Sequence, residues 1–349
     1  MKSRLPILLI GIIFCSCSST NLVFISVQQP APVTLPPNAR TVAVVNRTQA
    51  SEQTKVIDVV DKVFSMEGAN LDKEAAAVSI VGLSDELVKN NRFAEIKPVS
   101  TVLRTNTPNQ FPMALPWETV DKICGENRAD LLFSLELFDT DSKISYSVNK
   151  VTLKTPLGNV PALEHQANML TMVKTGWRIY DPAGRNILDE FVYTDRLNFS
   201  GRGINPMVAA AALIDRKEAV KQAGNDAGHG YAWRIIPTWI RVSREYFVKG
   251  SDNFTIAKRK AQTGNWDGAA ELWQRETTSP SRKIAGRACY NMAIISEING
   301  DLDKAIQWAQ KAYENYGTRL GLSYIHMLEN RKLNNTVLQE QQAGITGTP

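Results

Sequence analysis

The side chains from which a nucleophilic, acid–base or metal site would be assembled are few in this 349-residue chain, and their spacing argues against each chemistry. A hydrolase needs a nucleophile, a base and a group that orients the base. Of the three histidines, His165 follows Glu164 at the edge of an expected strand. His229 sits between Gly228 and Gly230, three residues after Asp226, where a helix is expected to stop. A cation at a helix C-terminus is favourable on electrostatic grounds alone, so a capping role is expected there. His326 falls on the expected capping helix, as a surface or half-buried residue. Asp139 and Asp141 suit a cation or a sugar, but the end of a strand where they fall reads more simply as a solvated turn. No Gly-x-Ser-x-Gly, His-Glu-x-x-His, phosphate loop or dinucleotide fingerprint occurs, and Gly201-Arg202-Gly203 is too short to be more than a loop. No Cys/His spacing suits a metal. Trp233 and Trp239 flank Pro237 and are expected to pack at an interdomain joint rather than to stack on a ligand, because aromatics bury large areas. Catalytic residues, cofactor and metal are therefore all expected to be absent, and the chain reads as a non-enzyme.

The cysteine with a chemistry of its own is Cys17. Met1-Lys2-Ser3-Arg4 is cationic, residues 5–14 are almost wholly apolar, and Cys15-Ser16-Cys17-Ser18-Ser19-Thr20 is small and polar. That order marks a secretory signal, and its apolar run is about half the 20 or so residues a membrane span needs. Ser16-Cys17 resembles the bacterial lipobox, in which the leader is cut before a cysteine whose thiol takes a diacylglyceryl group. Phe14 departs from the usual leucine, and its bulk disfavours the rival cut at Cys15. The resemblance implies a leader over 1–16, lipid on Cys17 and anchoring by more than one acyl chain. Without an aspartate or an acidic cluster after Cys17, the expected address is the periplasmic face of the outer membrane. Loss of Lys2 and Arg4 with the leader lowers the net charge from +5 to +3, too little to suggest nucleic acid. With Cys17 acylated, Cys124 and Cys289 are expected to be buried free thiols in different domains.

The mature chain begins with a proline-rich tether, 17–38, whose apolar patch at 22–27 is able to add a strand. Residues 40–46 read as a buried β-branched strand and 71–91 as a helix, followed by a strand at 93–99. Pro116-Trp117-Glu118 opens a second helix, and 129–137 a second strand, an alternation that indicates α/β organisation. Two-residue alternation over 144–153, 167–180 and 187–197 predicts further strands, with a loop at 156–161 and a hairpin at Asp181-Pro182-Ala183-Gly184. An alanine-rich helix is expected from Pro206 to about Asp226, and a closing strand over 239–247. These elements define an α/β domain with a mixed sheet over 39–250.

From 251 to 333 the pattern becomes helical with glycine breaks. Ala257, Gly264 and Ala269 recur as Ala293, Gly300 and Ala305, each 36 positions on. Alanine lets paired helices approach and glycine allows the turn between them, so these six are the expected packing positions. They resemble the small and turn positions of a tetratricopeptide repeat, lengthened from the usual repeat of about 34 residues by the loop near Ser279-Pro280-Ser281. Trp266, Trp273 and Trp308 belong first to repeat packing, 319–331 to a capping helix, and 334–349 to a disordered tail.

Arg234-Ile235-Ile236-Pro237-Thr238-Trp239, Arg244-Glu245-Tyr246-Phe247, Ala288-Cys289-Tyr290-Asn291-Met292-Ala293 and 306–313 resemble a family of Bacteroidota lipoproteins with a C-terminal tetratricopeptide region. That resemblance implies no activity. The first domain is weakly similar, through Ala129-Asp130 and the strand after it, to the α/β domains of curli-secretion-type lipoproteins and penicillin-binding-protein activators. The expected fold is α+β: an N-terminal α/β domain, then an all-α repeat domain. The expected function is a non-enzymatic scaffold or adaptor that binds an envelope protein through its repeats. Carbohydrate binding or glycan processing is the alternative.

Overall fold

The structure is a computed structural model that describes residues 19–50, 62–100, 103–105, 111–156, 158–213 and 216–346. The expected leader, 1–16, and Cys17 lie outside the described residues. The first elements in chain order are β1 (Thr20–Gln29), β2 (Thr41–Asn46), the two-residue β3 (Gln49–Ala50), α1 (Lys62–Lys89), β4 (Glu95–Val99), the two-residue β5 (Arg104–Thr105) and α2 (Trp117–Asn127). Three long strands follow, β6 (Leu131–Thr155), β7 (Gly158–Asp181) and β8 (Asn186–Gly203), then α3 (Pro206–Ala211), α4 (Arg216–Ala232) and β9 (Thr238–Phe247). The chain closes on helices α5 (Asp252–Gln262), α6 (Trp266–Glu276), α7 (Arg282–Ile298), α8 (Leu302–Glu314) and α9 (Leu320–Thr346). A mixed sheet with helices comes first and a run of helices last, so the chain is α+β. Among the described residues, 29–238 with 337–346 form one compact unit and 19–28 with 239–336 another.

The sheet of the first unit runs β4-β2-β6-β7-β8, with β2 parallel to both neighbours and β7 antiparallel to its own. Helices cover both faces of β2, which is why Val42, Ala43, Val44 and Val45 are all buried apolar residues without alternation. Val42 and Val44 share one core with Leu83 and Leu87 of α1 and with Ala223 and Ala227 of α4. Ala43 and Val45 face Val120, Ile123 and Cys124 of α2. Asp130 sets the start of β2, because its Oδ2 accepts from the backbone N–H groups of Arg40 (2.7 Å) and Thr41 (2.8 Å).

Several expectations need correction. The strands predicted over 129–137 and 144–153 are one continuous strand, β6, so Asp139 and Asp141 are mid-strand residues rather than turn residues. Pairing in register with β7, from Leu132↔Tyr180 to Thr155↔Gly158, holds this length together, and it absorbs most of the loop expected at 156–161 into the hairpin. The alanine-rich helix is two helices, α3 and α4, and Gly228, His229 and Gly230 lie inside α4 rather than beyond its end. Glycine there serves proximity, not termination. A Cβ on Gly228 would lie 2.0 Å from the Ser79 carbonyl oxygen of α1, and one on Gly82 would lie 2.3 Å from that of Asn225. Within the segment read as a tether, the apolar patch at 22–27, expected to be able to add a strand, lies in β1, which pairs with β9. The tail expected to be disordered is helical through Thr346. Its polar residues hide two anchors: Leu338 is buried, and Gln341 Oε1 accepts from Ala31 N (2.9 Å) while its Nε2 donates to Ala31 O (2.9 Å).

The second unit builds its core from β9 and the helices. Tyr246 meets Trp266 and Trp273 at ring-centre distances of 5.6 and 5.7 Å, and Phe247 meets Tyr290 at 5.5 Å. Cys124 and Cys289 are buried free thiols, one in each unit. Burial pushes the first up to about 12 and the second up to about 11, so neither is a nucleophile at neutral pH. No helix among the described residues is long and apolar enough to cross a membrane.

Candidate functional site

The second unit builds the same helical hairpin twice, as α5–α6 and α7–α8. Ala257, Ala269, Ala293 and Ala305 are all fully buried in helix contacts. Gly264 and Gly300 take φ of +80° and +79°, a left-handed backbone that costs a Cβ-bearing residue about 1–2 kcal/mol. The residue after each glycine caps the next helix: Asn265 Oδ1 accepts from Gly268 N (2.8 Å), and Asp301 Oδ1 from Lys304 N (2.9 Å). Trp273 and Ala309 occupy equivalent buried positions. A large ring in the first copy thus answers a small side chain in the second.

Stacking these hairpins leaves a groove of about 360 Å³ along α6, α7 and the start of α8. Ala270, Met292 and Ile295 give it an apolar floor, while Asp267, Glu271 and Asp301 stand on its rim with the single ammonium of Lys304. Methionine adapts to differently shaped apolar partners, and three carboxylates against one cation favour a partner with basic residues. The groove is suited to holding a peptide segment, and it contains no nucleophile–base pair.

The remaining candidates are not brought together. His165 Nδ1 pairs with the Tyr146 hydroxyl on the exposed β6–β7 ribbon, His229 Nδ1 lies 3.1 Å from Glu86 Oε2, and His326 is exposed on α9. Asp141 forms an ion pair with Lys143 at 3.5 Å. Among the described residues no group of His, Cys, Asp or Glu is arranged to hold a metal ion. Trp233 is 47% exposed and Trp239 70% exposed. Trp239 has the outward parity of β9, whose inward side chains Arg244 and Tyr246 are buried.

Two buried charge clusters were not foreseen. In the first unit a β-bulge between Leu135 and Leu137 turns Glu136 inward, where it accepts from Arg47 Nη1 (2.8 Å) and the Tyr180 hydroxyl (2.9 Å). Burial outweighs those partners and holds its carboxyl above the usual range. In the second unit Glu297 receives both arms of Arg244 at 2.8 Å, the Tyr324 hydroxyl at 2.5 Å, and Arg331. Burial acts to raise its carboxyl, but the hydrogen bonds from Arg244 and Tyr324 prevail and hold it below the usual range. Arg244 stands in one of the segments quoted above for the resemblance. So does Asn291, whose side chain accepts from Phe247 N and donates to Phe247 O, both at 2.7 Å. Those segments are a strand-to-helix clamp.

Residues 39–247 match the family described as Domain of unknown function (DUF8603). The chain belongs to this family. Residues 255–332, which carry both hairpins, match a second description, Domain of unknown function (DUF6340). No curated protein matches the chain. Among solved structures, a PelC dodecamer from Paraburkholderia phytofirmans is 10% identical with a TM-score of 0.24, covering 61% of this chain and 98% of that one. A neuraminyllactose-binding hemagglutinin homolog from Helicobacter pylori is 10% identical with a TM-score of 0.22, covering 66% of this chain and 94% of that one. At these scores the likenesses carry no argument about this member of the DUF8603 family.

Proposed function

We propose that the chain is a membrane-anchored envelope lipoprotein, acylated at Cys17 and facing the periplasm from the outer membrane, that acts as a non-enzymatic adaptor through its helical hairpins. They form a tetratricopeptide-like pair of repeats. Their partner is a segment of another envelope protein that carries cations beside apolar side chains. The observation that carries the reading is the groove, whose apolar floor and acidic rim lie on a repeated helical scaffold. Concave faces of stacked helix pairs serve this kind of binding. The leader and its Ser16-Cys17 junction support the address.

A photo-crosslinking residue at Gln274, in the groove, is expected to give a discrete protein adduct in cells, whereas one at the exposed Arg259 of α5 gives none. Asp267→Lys with Glu271→Lys sets like charges against a basic partner and is expected to reduce the adduct by about ten-fold or more. An adduct that is equal from both positions, or indifferent to the charge reversal, counts against the adaptor. The exposed ring of Trp239 favours a second reading, glycan binding on the outer face of β9. Retention on a glycan column that Trp239→Ala abolishes would select it.

A further inference from the structure

A second cavity of the helical unit lies at the start of β1. It measures about 600 Å³, and its lining includes Ser19, Arg282, Lys283, Arg287 and Arg319 with one carboxylate, Glu245. Among the described residues none of the four cations is in an ion pair. Arg282 donates to the Asn315 carbonyl (2.7 Å) and Arg287 to the Lys249 carbonyl, so both guanidinium groups are oriented without being neutralised. Lys283 and Arg319 are exposed. The first turn of α7 also starts here, and the Ser281 side chain makes no hydrogen bond to its free N–H groups. The positive end of that helix adds to the field of the four cations.

Position along the chain decides what this field meets. Ser19 is two residues from Cys17, and two residues span at most about 7 Å. That distance is shorter than the screening length of about 8 Å at physiological salt. If the acyl chains of Cys17 are in the bilayer, Ser19 is held at the headgroup layer, and the pocket that it lines opens beside that layer.

We infer that this basic pocket docks on the anionic headgroups of the membrane that holds Cys17, taking a lipid phosphate between Lys283, Arg319 and the start of α7. The inference rests on the acylation proposed above. Each basic residue at an anionic surface strengthens attachment about five-fold. The site therefore fixes which side of the helical unit meets the lipid.

The test uses the full lipidated chain, extracted from membranes and placed in vesicles either of phosphatidylethanolamine with phosphatidylglycerol or of phosphatidylcholine alone. The mass of the Cys17 peptide reports its acyl groups, and amide hydrogen exchange reports the pocket. Exchange over 282–287 and 316–320 is expected to be slower on the anionic vesicles than on the neutral ones. Lys283→Glu with Arg319→Glu is expected to remove that difference while exchange in α6 stays unchanged. Equal exchange on both vesicles with Cys17 acylated overturns the docking alone. So does equal protection by inorganic phosphate on neutral vesicles, which would make the pocket a site for a soluble anion. A Cys17 without acyl mass overturns the anchor and the docking together.

Discussion

Replacing Glu297 with alanine is expected to lower the unfolding free energy of the helical unit by about 3–5 kcal/mol, the usual cost of removing one partner from a buried ion pair. The Glu297 side chain is fully buried and gathers three elements: Arg244 comes from β9, and Tyr324 and Arg331 from α9. Without the carboxylate, the Arg244 guanidinium is left 8% exposed with no counter-charge. Urea denaturation of the two proteins, followed by tryptophan fluorescence, measures the loss. The same cluster predicts a pH dependence. Because the folded carboxyl titrates below its ordinary value of 4.5, its contribution is present above that value and is lost as pH falls through the lower, folded one. Glu136 has the opposite sign: its folded carboxyl titrates above 4.5, so the first unit gains stability as pH falls through that raised value. Acidification from pH 7 is expected to weaken the helical unit selectively, and Glu297→Ala should lose that sensitivity.

Gly228→Val is expected to destabilise the first unit by about 3 kcal/mol, the upper end of the range for overpacking. The added Cβ meets backbone on two sides, the Ser79 carbonyl oxygen at 2.0 Å and the Leu83 nitrogen at 2.8 Å, and neither atom is free to rotate away. Relief requires α1 and α4 to separate, which opens the apolar layer that covers β2. Gly125 supplies the control. It is also helical, in α2, but a Cβ there would meet nothing within 4 Å. Gly125→Ala is expected to stabilise by about 0.5–1 kcal/mol, because alanine loses less backbone entropy in a helix. Thermal melts of the two variants should therefore move in opposite directions.

These two glycines show why parts of the fold were legible in the sequence and parts were not. A uniform β-branched run at β2 and a Pro-Trp-Glu start at α2 are local signals of burial and capping, and both elements stand where those signals put them. The glycines of α4 have no local signal that separates a helix end from a close helix crossing, since the reason for Gly224 and Gly228 lies in Ala75 and Ser79 of α1. The length of β6 is hidden in the same way. Alternation marks its distal half over 144–153, but residues 138–143 between the two marked runs carry no such signal, and cross-strand pairing with β7 carries the strand through them. Gln341 in the tail depends on a partner 310 positions away.

The candidate site divides similarly. Gly264, Gly300 and the four alanines were visible because the same constraint occurs twice, 36 positions apart. The groove rim was not, since Asp267, Glu271 and Asp301 are ordinary solvated carboxylates until three helices bring them to one opening. Glu297 carries no sequence signal of burial, and Arg244 is more than fifty positions away. Arg282, Lys283, Arg287 and Arg319 read as ordinary helix charges until their pocket is placed beside Ser19.

The lipid anchor on which the proposed adaptor role depends is itself a proposal, and its direct test is mass spectrometry of the N-terminal peptide of the chain recovered from membranes. The expected result is a peptide that begins at Cys17 and carries the added mass of acyl chains on it. A mature chain that begins elsewhere, or that carries an unmodified thiol at Cys17, would contradict a lipid-anchored envelope adaptor.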